Sequence, residues 1–336
     1  MTNTDVQFTE RFPDMNLNAF VTNNVSLKDW VPSENVVNTG MLSDIGRATI
    51  YNGEIQESFY SRFMRAPLSR GDSVMSGRFS EIKSRAYDPL APDAKLFDSP
   101  RPSMISNVAT KNFSRQIAVE VNNYWIRQFA QTQEMIGDAM AAIMAESNIC
   151  YRDDMWVAGK TYFSGSMRGA KADSIYIMEN GIEDVGFADE MIEELWRTQE
   201  REFAYKSTKY NASGYNTLSK GVHIALKKDV EYPAFKKFYA ETFNPGYLKV
   251  ASTIDYVDDF ATPAGAPADA GELLGMIVDT RAFAITPMPD TLTTESFRNP
   301  VRKSTAFFTT YEYAFQHDPF FNIKYIFAKK ESSAEA

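Results

Sequence analysis

The stretch "QTQEMIGDAMAAIMAESNICYRDDMWVAGKTY" (131–162) constrains the fold more than any other part of the chain. Ile136, Met140, Ile143, Ser147, Cys150, Tyr151, Met155, Ala158 and Tyr162 recur at steps of three and four, the spacing of one helical face. No proline interrupts the run. A helix of this length spans about 45 Å at 1.5 Å per residue, more than the diameter of a small domain. The chain is therefore expected to be built around one stiff member. Gly165 and Gly169 in "SGSMRGAKAD" (164–173) are expected to end it. Ahead of it, "FSRQIAVEVNNYW" (113–125) alternates. Phe113, Ile117, Val119, Val121 and Trp125 share one face, opposite Ser114, Gln116, Glu120 and Asn122.

The remaining elements are shorter. A second amphipathic helix is expected over 188–205, burying Met191, Leu195, Trp196 and Phe203. "GVHIAL" (221–226) reads as a short strand. "YPAFKKFYAETFNPG" (232–246) reads as a helix opened by Pro233 and stopped by Asn244-Pro245-Gly246. "YLKVASTIDYV" (247–257) alternates again, with Leu248, Val250, Ile254 and Tyr256 inward. A Pro/Ala/Gly loop (262–271) then leads into an apolar strand over 273–285. At the C-terminus, Phe307, Thr309, Tyr311, Tyr313 and Phe315 share a strand face, "HDP" (317–319) is the turn, and Phe320, Ile323, Tyr325 and Phe327 return as a second strand. Residues 1–47 read as an extended arm with at most one short helix near Ser26. Strands and helices in this order give an α+β class.

Residues 48–112 are the least domain-like stretch. Between Ile55 and Phe79 there are four arginines against two carboxylates, and Pro89, Pro92, Pro100 and Pro102 follow. Proline fixes φ and removes a donor, so this segment is expected to lie outside the central sheet as a long functional insert.

Charge and motifs narrow the function. Lys and Arg total 35 against 44 Asp and Glu, a net charge of −9 that disfavours gripping nucleic acid through its phosphates. One cysteine, Cys150, excludes an intrachain disulfide and a Cys-rich zinc site. The first residues lack the basic and apolar regions of a signal peptide, and no run approaches the ~20 apolar residues of a membrane span. "AGKTYF" (158–163) lacks the upstream glycine of a phosphate loop and closes a helix instead of opening one. "RGD" (70–72) reads as a turn at a hairpin tip, with Gly71 supplying the bend. Asp279, inside an apolar strand, calls for a structural ion pair with an arginine such as Arg281. Neither His223 nor His317 accompanies a nucleophile motif, so no catalytic residue and no cofactor is assigned. The alternative is an acidic metal-dependent hydrolase using Asp255, Asp258, Asp259 and Asp279.

The order of the parts decides between these readings. "SRGDSVMSGRFSEIKSRAYDPLAPDAKLFDSPRPSM" (69–104), "FSRQIAVEVNNYWIRQFAQTQEMIGDAMAAI" (113–143), "FNPGYLKVASTIDYVDDFATPAGAPADAGELLGMIVDTRAFAI" (243–285) and "NPVRKSTAFFTTYEYAFQHDPFFNIKYI" (299–326) follow one another as the blocks of a tailed-phage major capsid protein do. The chain resembles that family, in its Hong Kong-type capsid fold and podovirus-like group. The resemblance implies an N-terminal arm (1–47), an extended loop (48–112), a peripheral domain with a spine helix (113–180), an axial domain (181–290), closing peripheral strands (291–328) and a flexible tail (329–336). It implies a structural, non-enzymatic subunit that self-assembles as pentamers and hexamers into an icosahedral shell around double-stranded DNA. Such a subunit meets itself first, then scaffolding, portal and decoration proteins. It touches packaged DNA without reading sequence, engages no membrane, is made in the host cytoplasm and ends in the virion capsid. Arg62, Arg65, Arg70, Asp72 and Arg78 are the implied intersubunit contacts. The loop 262–271 is expected loosely tethered on the axial domain, where copies meet.

Overall fold

The computed structural model describes residues 2–22, 28–29, 59–71, 73–79, 104–122, 133–167, 171–212, 214–231, 233–234, 254–289, 291–302 and 304–330. Its elements run as helices α1 (Asn3–Arg11) and α2 (Leu17–Thr22), then strands β1 (Lys28–Asp29), β2 (Ser73–Phe79), β3 (Met104–Thr110) and β4 (Phe113–Asn122). The long helix α3 (Gln133–Gly165), β5 (Ile175–Ile177) and helix α4 (Phe187–Arg197) follow. The rest are β6 (Val222–Lys227), β7 (Ile254–Val257), β8 (Ala270–Asp279), β9 (Phe283–Pro287), β10 (Thr293–Asn299), β11 (Ser304–His317) and β12 (Ile323–Lys329). The expected helix over 232–246 and the first part of the strand over 247–257 lie largely outside the described residues. None of the helices described is long and apolar enough to cross a bilayer.

The strands form three sheets, ordered β1-β3-β2, β10-β11-β4 with β9 also on β11, and β5-β12-β8-β6-β7. β8 is covered on both faces. Met276 and Val278 join the cluster with α1, α2 and α3, while Leu274 and Ile277 face α4. Two-sided burial is why this strand reads as one continuous apolar run. Close approach also dictates glycine at its start. A Cβ on Gly271 would sit 2.9 Å from the Ala328 carbonyl oxygen and 3.1 Å from that of Lys329. Gly271→Ala is expected to force β8 and β12 apart and to cost about 1–3 kcal/mol, read as a lower thermal midpoint.

Two expectations about strand continuity are corrected. The run 273–285 is not one strand. It bends at Asp279, whose carboxylate accepts the Arg281 N–H two residues on at 2.8 Å. β8 then belongs to the five-stranded sheet and β9 to the four-stranded one. Nor do β11 and β12 form a hairpin. Asp318 accepts the Phe320 N–H two residues on at 3.0 Å, and the chain passes from the four-stranded sheet to a place between β5 and β8. An aspartate bonding its own backbone two residues on makes a tight turn in each case. The two crossovers run side by side, tied by Asp279 N–H to Asn322 O and Asp318 N–H to Ala282 O at 2.8 and 2.7 Å. His317, expected in the turn as a residue capping a strand, is the last residue of β11 and is buried against Phe283.

The N-terminal segment is also corrected. Residues 2–22 are not an extended arm but two helices in the core, and Lys28–Asp29 is a strand, not a helix. Thr2 and Asp5 form a reciprocal capping box that starts α1. Phe8 and Phe12, one turn apart, lie at 0% and 1% exposure, and Phe20 of α2 stacks on Phe8 at 5.2 Å. Polar contacts stitch α1 to the loop after β7. Thr4 N–H donates to Asp259, and Asp5 accepts from both the N–H and the hydroxyl of Thr262. The loop 262–271 is therefore not loosely tethered. Its N-terminal end is held by Asp5, its middle by Ala264 N–H to Gly165 O, and Lys330 N–H reaches Asp269 O.

The insert contains regular structure as well. β2 and β3 pair over seven residues as an antiparallel hairpin, and the prolines at 89, 92, 100 and 102 lie in the connection, 80–103, outside the described residues. Gly71 has a φ of +90° and supplies a bend, but at the open end of the hairpin, before β2, and not at its tip.

Candidate assembly surface

The hairpin presents two unlike faces because strand side chains alternate. On the outer face, Met75 and Phe79 are 44% and 61% exposed. Towards the body, Ser76 accepts from Gln316 Nε2 at 2.9 Å, and Asn107 Nδ2 donates to the His317 carbonyl at 2.9 Å. Arg78 extends over the Tyr215 ring, 4.0 Å from its centroid. The hairpin is thus held at its base by the end of β11 and leaves an apolar outer face uncovered. Exposed apolar residues also mark the four-stranded sheet's edge, with Phe297 on β10 and Val301 after it at 62% and 90%. Trp196, expected inside α4's apolar face, is 41% exposed and lies under the Arg201 guanidinium.

The five residues proposed for contact between copies do not converge. Arg62 makes a two-pronged pair with Asp255 of its own chain, at 2.8 and 3.3 Å. His223 Nε2 lies 3.1 Å from the same carboxylate. Burial pushes the Asp255 carboxyl up, but His223 and Arg62 outweigh it and hold it below the usual range. The Arg65 guanidinium donates to the Thr280 carbonyl, at 3.2 Å, and has no carboxylate partner among the described residues. Arg70 is exposed and has no ion-pair partner among the described residues. Asp72 lies outside the described residues, and Arg78 stacks within its own chain as above.

The four carboxylates of the hydrolase alternative do not meet either. Asp255 is held by Arg62 and His223. Asp258 pairs with Lys160 at 2.7 Å, Asp259 with Lys227 at 3.7 Å and Asp279 with Arg281 at 2.7 Å. Asp279 is fully buried and also accepts the Thr217 hydroxyl at 2.6 Å, so the expected structural ion pair is present. No group of three potential metal ligands occurs among the described residues. Lys160 of "AGKTYF" lies within α3 at 1% exposure, between Asp258 and Gln7, where no phosphate reaches it.

Two buried polar clusters had no expectation attached to them. Asp154 of α3 accepts from Arg11 of α1 and from the Tyr311 hydroxyl of β11, joining three elements at one carboxylate. Burial and that hydrogen bond push the Tyr311 phenol far above its ordinary range. Lys324 of β12, 4% exposed, pairs with Glu194 and, at 2.6 Å, with Glu202. The π-turn Thr198–Glu202 that extends α4 brings Glu202 onto the face of Glu194. A charge within an apolar strand, such as Lys324 between Ile323 and Tyr325, was the one signal that pointed there.

Residues 5–327 match the sequence profile of the Phi29-like phage major capsid proteins. Among curated proteins none matches the chain. Many solved structures share its fold. One is the capsid structure of Staphylococcus phage Andhra, with a TM-score of 0.62 and 13% identity, over 95% of this chain and 98% of the other. A chain in the structure of the head fiber and inner core protein gp22 of native bacteriophage P68 matches with a TM-score of 0.58 and 15% identity, over 94% and 98%. The capsid of cyanophage P-SCSP1u follows at 0.53 and 11%, over 90% and 100%. At these identities the likeness is one of fold.

Proposed function

Because the chain belongs to the Phi29-like phage major capsid protein family, and so has a structural role in a virion capsid, we propose that it closes an icosahedral shell around double-stranded DNA as pentamers and hexamers of itself. The family match over 5–327 carries the reading. We assign the peripheral part to α3 and the four-stranded sheet, the axial part to α4 and the five-stranded sheet, and the extended loop to the β2–β3 hairpin. Scaffolding, portal and decoration proteins are its further partners, and synthesis is in the host cytoplasm. The net charge of −9 suits a shell that should not trap the genome it receives.

The hairpin lies over a neighbouring copy in this reading. Its uncovered Met75 and Phe79 supply apolar area, and Arg65 and Arg70, which lack carboxylate partners among the described residues, supply charge to an acidic neighbour. Each such pair is worth at most about 1 kcal/mol, so assembly depends on many repeated contacts. The test is Arg65→Glu with Arg70→Glu. The subunit is expected to keep its thermal midpoint while the concentration at which particles form rises at least about tenfold. An unchanged threshold removes these two residues from the interface.

A further inference from the structure

We propose that Arg78, Tyr215, Phe321 and Arg281 form a four-layer clamp that fixes the angle of the β2–β3 hairpin to the body, and that this angle sets how subunits meet; the second half rests on the capsid reading. Arg78 lies 4.0 Å from the Tyr215 ring centroid. Tyr215 stacks on Phe321 at 6.0 Å with 17° between the planes. Arg281 covers Phe321 from 4.5 Å. The last guanidinium is itself held by both oxygens of Asp279, at 3.0 and 2.7 Å.

The layers come from four separate places. Arg78 is on the hairpin, Tyr215 on the segment before β6, Phe321 on the β11–β12 crossover and Arg281 on the β8–β9 crossover. A guanidinium over an aromatic face is attracted by the ring quadrupole, and parallel rings between two guanidinia extend that attraction. The bottom of the stack is rigid because Asp279 is fully buried and also bonded to Thr217. Among the described residues, Ser76 ties the hairpin to Gln316 and Asp318, and Asn107 ties it to the His317 carbonyl, nearer its open end. Arg78, one residue from the end of β2, holds it further out. Arg78 is therefore a positioning residue whose planar group matters, and lysine is not its equivalent.

Hydrogen–deuterium exchange on the full-length subunit before assembly tests the clamp, and microscopy of assembled particles tests its use. Arg78→Ala, Arg78→Lys and Tyr215→Ala are expected to speed exchange in β2 and β3 by roughly three- to tenfold, with β8 and β12 unchanged. Tyr215→Phe, which keeps the ring, is expected to match the parent. The alanine variants are then expected to give particles of mixed size or open sheets. Unchanged hairpin exchange, or a rise spread equally over β8 and β12, overturns the clamp. Faster hairpin exchange with particles of unaltered size overturns its role in setting subunit geometry. If the parent chain forms no particles at all, the capsid reading fails while the exchange result still decides the clamp.

Discussion

Deleting residues 2–22 is expected to abolish folding of the subunit, not to release an arm. Phe8, Phe12, Phe20 and Val21 are each at most 3% exposed. Burying four such side chains contributes about 6–12 kcal/mol, as much as the whole stability of many domains. Phe20 alone touches Phe8, Phe113, Tyr162 and Phe315, with ring centroids between 5.2 and 6.0 Å apart. The deletion also strips Asp154, Asp259 and Lys160 of partners on α1. The deleted chain is expected in the insoluble fraction or, if soluble, without a cooperative thermal transition. Phe20→Ala gives a graded form of the experiment, with an expected loss of about 3–5 kcal/mol. A deleted chain that melts like the parent contradicts the placement of α1 and α2 in the core.

The second large effect is expected at Lys324. Its ammonium lies between Glu194 and Glu202, bonds the Thr198 hydroxyl at 3.2 Å and sits 5.6 and 5.5 Å from the Tyr176 and Tyr210 ring centroids. Lys324→Met keeps the stem and removes the charge, leaving Glu194, at 1% exposure, with Arg197 but without its buried cation. Breaking a buried pair from one side costs about 3–5 kcal/mol. In a chain this long that is a fall of roughly 4–7 °C in the thermal midpoint. The pH dependence identifies the cause. Burial raises the Glu202 carboxyl, but the hydrogen bond and charge of Lys324, with help from Tyr210 and Arg197, hold it below its ordinary value. A depressed carboxyl contributes stability above its unfolded pKa of about 4.3 and loses it as pH falls through the folded value. In Lys324→Met that depression is relieved, so parent and variant are expected to converge towards acid pH. A gap that stays constant from pH 7 to pH 4 assigns the loss to packing instead. Adding Glu202→Gln to Lys324→Met is expected to recover part of the midpoint.

What could be read from the sequence follows the range of the interactions. Helix α3 was legible because nine apolar or small residues at helical spacing specify a face without reference to any partner. β4 was legible by the same logic at a period of two, and β8 because burial on both faces leaves an unbroken apolar run. The sheet changes at Asp279 and Asp318 were not legible. Both strands next to each bend are apolar, and only pairing partners far along the chain separate β8 from β9 and β11 from β12. The N-terminal helices were missed for a related reason. Six- and nine-residue helices draw their stability from tertiary packing, here the rings of β4, α3 and β11, although the Thr2–Asp5 capping box was a local sign. The arginines of the insert show the same limit. Their charge was plain, but the partner of Arg62 lies 193 residues away, and Arg78 is answered by the ring of Tyr215 and not by a carboxylate.

Self-assembly is the central claim, and sedimentation velocity on the purified 38.0 kDa chain, with negative-stain microscopy of every fast fraction, tests it most directly. The account predicts fast-sedimenting species that resolve as closed shells or as rings of five and six subunits, increasing with concentration and with crowding agent. A single slow species of one subunit at every concentration, with and without crowding agent, would contradict it.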